Sequence, residues 1–278
     1  MTTLKTLLLS LIALTLLTAC AKNAASEKSS IRDLPVANGG SNIPRIRSAA
    51  LQQTAMSLGA QGALAWASKG INASLEHDDR NLSQVYNFRG LLLNHSVLPP
   101  VLSEGRDTIN LDAPTALRLA DKIYKIESPP RFVTAPPTWR EYLWMTYVTP
   151  DRPNTSLLPR NKEEQKVWEQ AYNDGWKEGV LQANQIFSEN MGRLKRDYNG
   201  MILYRKLLAQ NIVTAPFVAK SDLGVTGDAN ELRVNDQVLR ITSTSELIPN
   251  SKRWKSVVVP GTPGGLKKQG TEGTETIE

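Results

Sequence analysis

The sequence predicts an α+β fold, a helix plus β-hairpin unit present twice with one long helix between the copies. Three observations lead there. Asn161 to Gln210 contains no proline and carries apolar residues at helical spacing. Residues 117–126 and 232–241 partly alternate, as half-buried strands do. These two segments also resemble each other at an offset of 115 residues.

The duplication is read residue by residue. Leu117, Arg118, Asp121 and Ile126 match Leu232, Arg233, Asp236 and Ile241. Trp139-Arg140 matches Trp254-Lys255 at the same offset, and His95 has Asn211 at the matching place. Upstream, at 116, Arg89, Leu91, Val97 and Pro100 match Arg205, Leu207, Val213 and Pro216. The repeated order is helix, proline turn, hairpin. Two such half-sheets can pair about a pseudo-two-fold axis, each covered by its helix. A doubled unit without paired catalytic residues reads as architecture.

The elements follow in order. Arg45 to about Lys69 is Ala-rich and proline-free, so it reads as a helix, with Gly70 placed to cap its end. A second helix is expected over Leu82–Leu93, ending before Pro99-Pro100. Asp121-Lys122 and Asn235-Asp236 supply hairpin turns within the two alternating segments. Asn161 with Glu164 forms a capping box for the long helix. Its stripe includes Trp168, Tyr172, Trp176, Ala183, Phe187, Leu194 and Tyr198. Gly175, Gly179, Gly192 and Gly200 are where it would bend. Lys177 and Glu178 lie between the first two, so this Gly-x-x-x-Gly marks close packing against a neighbouring segment rather than a membrane helix.

The N-terminus reads as an export signal over residues 1–19. Lys5 is followed by a mostly apolar run, Leu7–Leu17, too short to span a bilayer. Leu17-Thr18-Ala19-Cys20 resembles the lipobox of bacterial lipoproteins, and Cys20 is the one cysteine in the chain. A lone thiol makes no intramolecular disulfide, so lipidation of Cys20 is the use it fits. The alternative is an ordinary secretory signal with a chance cysteine. Multiple acyl chains hold a protein at the membrane where one alone does not. Ala21 in place of Asp favours the outer membrane, by the rule that sorts such lipoproteins in enteric-type bacteria. Residues 20–44 read as a lipidated flexible tether, 45–259 as the scaffold body and 260–278 as a Gly- and Thr-rich tail.

Cleavage after Ala19 leaves 259 of 278 residues and removes the charge of Lys5, lowering the net from +6 to +5. There is no polybasic run and no Arg/Lys stripe interleaved with aromatics, which argues against nucleic acid. His77 and His95 have no spacing that makes a metal site, and no nucleophile elbow or phosphate loop is present. No cofactor is expected. Asp222 and Asp228 flank Gly224 and Gly227 as Asx caps of a Gly-rich turn. A different class of protein, a cell-wall-binding or cell-wall-modifying lipoprotein, would draw its acid and base from Glu104, Asp107, Asp222 and Asp228.

The segment 139–147 groups Trp139, Arg140, Tyr142, Trp144 and Tyr147 after Pro136-Pro137. Trp, Tyr and Arg dominate interface hot spots, so these five are the candidate partner-binding residues. Burial in the core is the competing use.

Several long stretches resemble one family. Leu91 to Leu102, Thr138 to Met145, Arg196 to Met201, Tyr204 to Gln210 and Leu223 to Asp228 look like the DotC lipoprotein family of type IVB (Dot/Icm-type) secretion systems. That family includes a lipoprotein of IncI-type plasmid conjugation. The resemblance spans roughly residues 50–255. It implies a non-enzymatic component of an outer-membrane core complex, working with a DotD-like lipoprotein to place a DotH-like, secretin-like channel subunit. It implies no catalytic residues.

Overall fold

The computed structural model describes residues 45–113 and 115–255. The signal peptide 1–19, the tether 20–44 with Cys20, and the tail 260–278 lie outside the described residues. Two compact units divide the chain, one up to Leu203 and one from Tyr204.

In chain order the elements are α1 (Arg45–His77), α2 (Asp79–Val85), β1 (Val97–Leu98), β2 (Val101–Ala113), β3 (Ala116–Ser128), β4 (Arg131–Phe132), α3 (Trp139–Leu143), α4 (Lys162–Ala209), β5 (Phe217–Gly227) and β6 (Leu232–Ser243). The α+β reading holds. The described strands form three two-stranded antiparallel sheets, β1–β4, β2–β3 and β5–β6.

Four boundary expectations are corrected. α1 runs through Gly70 to His77, because Ile71 and Leu75 continue its buried face. The helix expected over 82–93 is α2 followed by a 3-10 turn, Phe88–Leu91. Residues 117–126 and 232–241 are each part of one strand, β3 and β6, not a whole hairpin. The left-handed tendency of Asn235 goes into a bulge instead: it has φ 57° and falls between the pairs Val225–Val234 and Gly224–Asp236. The two ribbons are also separate sheets rather than halves of one.

In the first unit α1 packs against α4. Met56 faces Gly175, Gly59 faces Tyr172 and Trp176, and Ala60 faces Gly179. Residue numbers rise together on both helices, so the two run parallel. Gly59, Gly175 and Gly179 each touch backbone of the opposite helix, leaving no room for a Cβ. The expected close packing at the Gly-x-x-x-Gly is therefore present, and α4 runs unbroken through all four of its glycines. Leu51, Ala55, Ala63, Trp168 and Tyr172 fill the seam beside it. Burying one such large side chain stabilises by about 1.5–3 kcal/mol.

The seam is locked at its start by Arg47 and Glu164. Arg47 donates through Nε and Nη2 to the carboxylate at 2.6 and 2.9 Å, and through its Nη atoms to the carbonyls of Ser156 and Leu158. Glu164 accepts from Arg160 N–H as well, at 2.8 Å. Its own N–H donates to Asn161 Oδ1 at 2.8 Å. Asn161 thus caps the helix through Glu164 N–H as expected, and the Glu164 carboxylate also reaches α1. Arg47 holds that carboxyl below the usual range.

The duplication extends to hydrogen bonding. Val97 pairs with Phe132, and Val213 with Leu247. Val133 N–H donates to Ser96 O at 3.0 Å, and Ile248 N–H to Ile212 O at 2.8 Å. His95 and Asn211 both sit in the left-handed region, with φ 61° and 56°. Phe88 and Tyr204 are both fully buried. On the 116 offset α1, α2 and the 3-10 turn together correspond to α4, and Gly59 corresponds to Gly175.

Candidate partner-binding surface

The aromatic segment is fixed from below by the core. Thr138 caps α3, its N–H donating to Glu141 Oε1 at 2.9 Å, after the two prolines have set the chain direction. Trp139 is 1 % exposed and Leu143 is fully buried. The Trp139 indole donates to Ser83 Oγ at 3.2 Å. Core burial therefore takes Trp139. Tyr142 is half-buried, its ring stacked on Phe88 at 5.7 Å and 4°. Burial, then the Asp197 carboxylate, pushes its phenol up to about 12. The Arg193 guanidinium lies 5.7 Å from the same ring.

The remaining members face outward. Arg140 lies over Trp139 at 4.6 Å and Trp144 at 5.3 Å, and bridges Asp79 at 3.3 Å and Glu76 at 3.8 Å. Trp144, Tyr147 and Val148 are exposed on an irregular run after α3. That run is held at Met145 and, more weakly, at Thr149, whose Oγ1 accepts from Lys69 Nζ at 3.4 Å. Met145 is buried, its N–H donating to Asn72 Oδ1 at 3.1 Å and its carbonyl accepting from Asn72 Nδ2 at 2.7 Å. One side-chain amide thus imitates a strand partner. It fixes the backbone from which Trp144 and Tyr147 project. The sequence reading missed Asn72, one of many polar residues on an Ala-rich helix, visible only through its distant partner.

The four carboxylates that a wall-modifying enzyme would draw on lie in or beside the two ribbons. Glu104 on β2 pairs with Arg106 at 3.1 Å and Lys122 at 3.8 Å. Asp107 sits in the same strand with φ 47°. Asp222 accepts from Gly224 N–H at 3.3 Å, and Asp228 from Asn230 and Glu231 N–H at 2.8 and 3.0 Å. The two latter bonds hold Asp228 below the usual carboxylate range. Asp228 is the expected Asx cap, whereas Asp222 and Gly224 lie within β5 at a register shift rather than in a turn. His77 ends α1, and His95 makes a left-handed turn. Among the described residues no group of three His, Cys, Asp or Glu side chains is placed to hold a metal. Nor is any described helix long and apolar enough to cross a membrane.

Residues 45–256 match the profile of the T4SS_TraI family, described as type IV secretory system, conjugal DNA–protein transfer. The match spans the whole described body. No curated protein matches the chain.

Proposed function

The chain belongs to the T4SS_TraI family of type IV secretory, conjugal DNA–protein transfer proteins, and from that premise we propose that it is an outer-membrane lipoprotein scaffolding the core complex of a type IVB secretion or conjugation system. In this reading it is not an enzyme. Cys20 carries the lipid, residues 20–44 let the body stand off the membrane, and the body receives partner subunits on the periplasmic face. The partners are a DotD-like lipoprotein and the DotH-like, secretin-like channel subunit that it helps to place.

The observation that carries the reading is the run after α3. Trp144, Tyr147 and Val148 are exposed while the backbone between them is pinned by two hydrogen bonds to Asn72. Rigid aromatics presented beside an arginine bind protein surfaces with little ordering cost. The lipobox supports the location, and the family match supports the multi-component assembly.

The test is a Cys20→Ser chain expressed in place of the native one, followed by membrane fractionation for the channel subunit. The proposal expects the channel subunit to disappear from the outer membrane. Unchanged outer-membrane assembly would overturn it.

A further inference from the structure

We infer that the run after α3 is a polyproline II ligand, presented ready-made to a partner subunit whose groove is lined by tryptophan and tyrosine. The run is irregular only in lacking a hydrogen-bonded partner. Residues 144–154 contain no helix, strand, turn or bend. Among the described residues, no backbone-to-backbone hydrogen bond involves Met145 through Pro153. Both ends have polyproline II dihedrals. Trp144 has φ −67° and ψ 129°, and Asn154 has φ −58° and ψ 140°. A strand in a sheet would sit at a φ of about −120° to −140°. Between these ends the residue types impose the same backbone. Pro150 and Pro153 fix their own φ at about −65°. Thr149 and Arg152, each before a proline, are kept out of the helical region.

Two pins draw the run straight. At one end Met145 is held by both hydrogen bonds to Asn72, and past the other Ser156 and Leu158 accept from Arg47. Asn72 and Arg47 stand on the same helix, about 37 Å apart at about 1.5 Å per residue. The eleven steps from Met145 to Ser156 reach about 34 Å at about 3.1 Å each in polyproline II. The pins leave no slack, so the conformation is set on folding and binding has little left to order. Polyproline II has three residues per turn, which puts residues three apart on one edge. Trp144, Tyr147, Pro150 and Pro153 share an edge, and Thr146, Thr149 and Arg152 share the next. Trp144, Tyr147 and the three residues of the second edge are exposed, and both prolines keep part of their surface. Aromatic-lined grooves recognise such a helix through two prolines three apart, as in Pro150-Asp151-Arg152-Pro153. A carboxylate in the groove then meets Arg152. An added β-strand fits this run less well, because the prolines have no N–H to donate to it. The inference rests on the reading of this run as the partner-facing surface and adds the partner's chemistry.

Photo-cross-linking tests it on the full-length chain in its own membranes. A benzophenone side chain replaces Thr149, on the exposed edge beside Tyr147 and Pro150. Irradiation should join it to a partner peptide that contains tryptophan or tyrosine. Pro150→Ala with Pro153→Ala should leave the body folded and lower the yield of that product about tenfold or more. Arg152→Glu keeps both prolines and should lower the yield as well, since like charges then face each other. Absence of a product, a joined peptide without an aromatic residue, or an undiminished product in either variant each overturns the inference. None of these outcomes depends on where the channel subunit fractionates in the Cys20→Ser chain, so the two tests fail separately.

Discussion

Gly59 and Gly175 stand 116 residues apart at equivalent positions, and each presses on the helix that carries the other. Gly59 meets the Tyr172 carbonyl, and Gly175 meets the Met56 carbonyl, whose positions are themselves equivalent. The crossing is reciprocal, as a contact about a pseudo-two-fold axis must be. Every close approach there is backbone against backbone, so no side chain can rotate away to admit a methyl group.

Alanine at either glycine should therefore destabilise. Overpacking costs about 1–3 kcal/mol or more, against a gain of about 1 kcal/mol in helix propensity. The expected net loss for Gly59→Ala or Gly175→Ala is up to about 2 kcal/mol. A methyl group added at Gly192, on the same long helix, would meet nothing within 4 Å. Gly192→Ala should stabilise by about 0.5–1 kcal/mol. Urea denaturation of the three variants gives the comparison. Equal effects at Gly59 and Gly192 would refute the close approach.

The Arg47–Glu164 pair should make stability depend on acid. The Glu164 side chain is only 5 % exposed, and its pKa lies below the usual value because Arg47 hydrogen-bonds the carboxylate. A depressed pKa contributes stability that is present above the unfolded-state value near 4.3 and is lost as pH falls through the folded one. Glu164→Gln should cost roughly 2–3 kcal/mol at pH 7, somewhat under the figure for a fully buried pair because Arg47 keeps some solvent. The gap from the native chain should narrow as pH falls below the unfolded-state value and through the lower folded one. Thermal unfolding across that range measures it, and a constant gap would assign the loss to packing.

Tyr142 titrates late. Burial first, then Asp197, raises its phenol to about 12. A raised pKa favours the neutral form in the folded state, so its contribution is complete below the unfolded value near 10 and fades as pH rises through 12. Ultraviolet titration of the native chain should show one tyrosine ionising above pH 11 that is missing from Tyr142→Phe. An unchanged upper limb in that variant would contradict the stacked, half-buried placement.

Trp144→Ala with Tyr147→Ala should weaken partner capture without unfolding the body. Hot-spot aromatics are worth about 2 kcal/mol or more, or roughly thirtyfold in affinity. The melting temperature should move little, because both side chains are exposed. Co-purification with the channel subunit is the readout. Trp139→Ala, by contrast, should lower stability by about 3–5 kcal/mol, since that indole is in the core.

The long helix, the duplication and the glycine contact were legible because each leaves a local pattern: proline-free periodicity, matched residues, paired glycines. The strands were half legible. Alternation identified β3 and β6, but their partners β2 and β5 alternate weakly, with Gly105, Gly224 and Gly227 in them. Asp121-Lys122 and Asn235-Asp236 therefore resemble turns although they lie inside strands, and Asn235 sits at a bulge. The candidate partner-binding segment stands out by composition, yet composition does not divide buried Trp139 from exposed Trp144. That division is set by Ser83 and Asn72, both distant in sequence.

The 116-residue separation between α1 and the helix it packs on has a kinetic consequence. Each ribbon closes between neighbouring strands and can form as soon as its residues are available. α1 cannot: Met56 and Gly59 have no partners until residues 172–179 exist. A ribosome making roughly 5–20 residues per second leaves this Ala- and Gly-rich helix uncovered for about 6–25 seconds. The first helix among the described residues is thus seated only after residues 172–179 have been made, which gives a nascent-chain chaperone time to meet it.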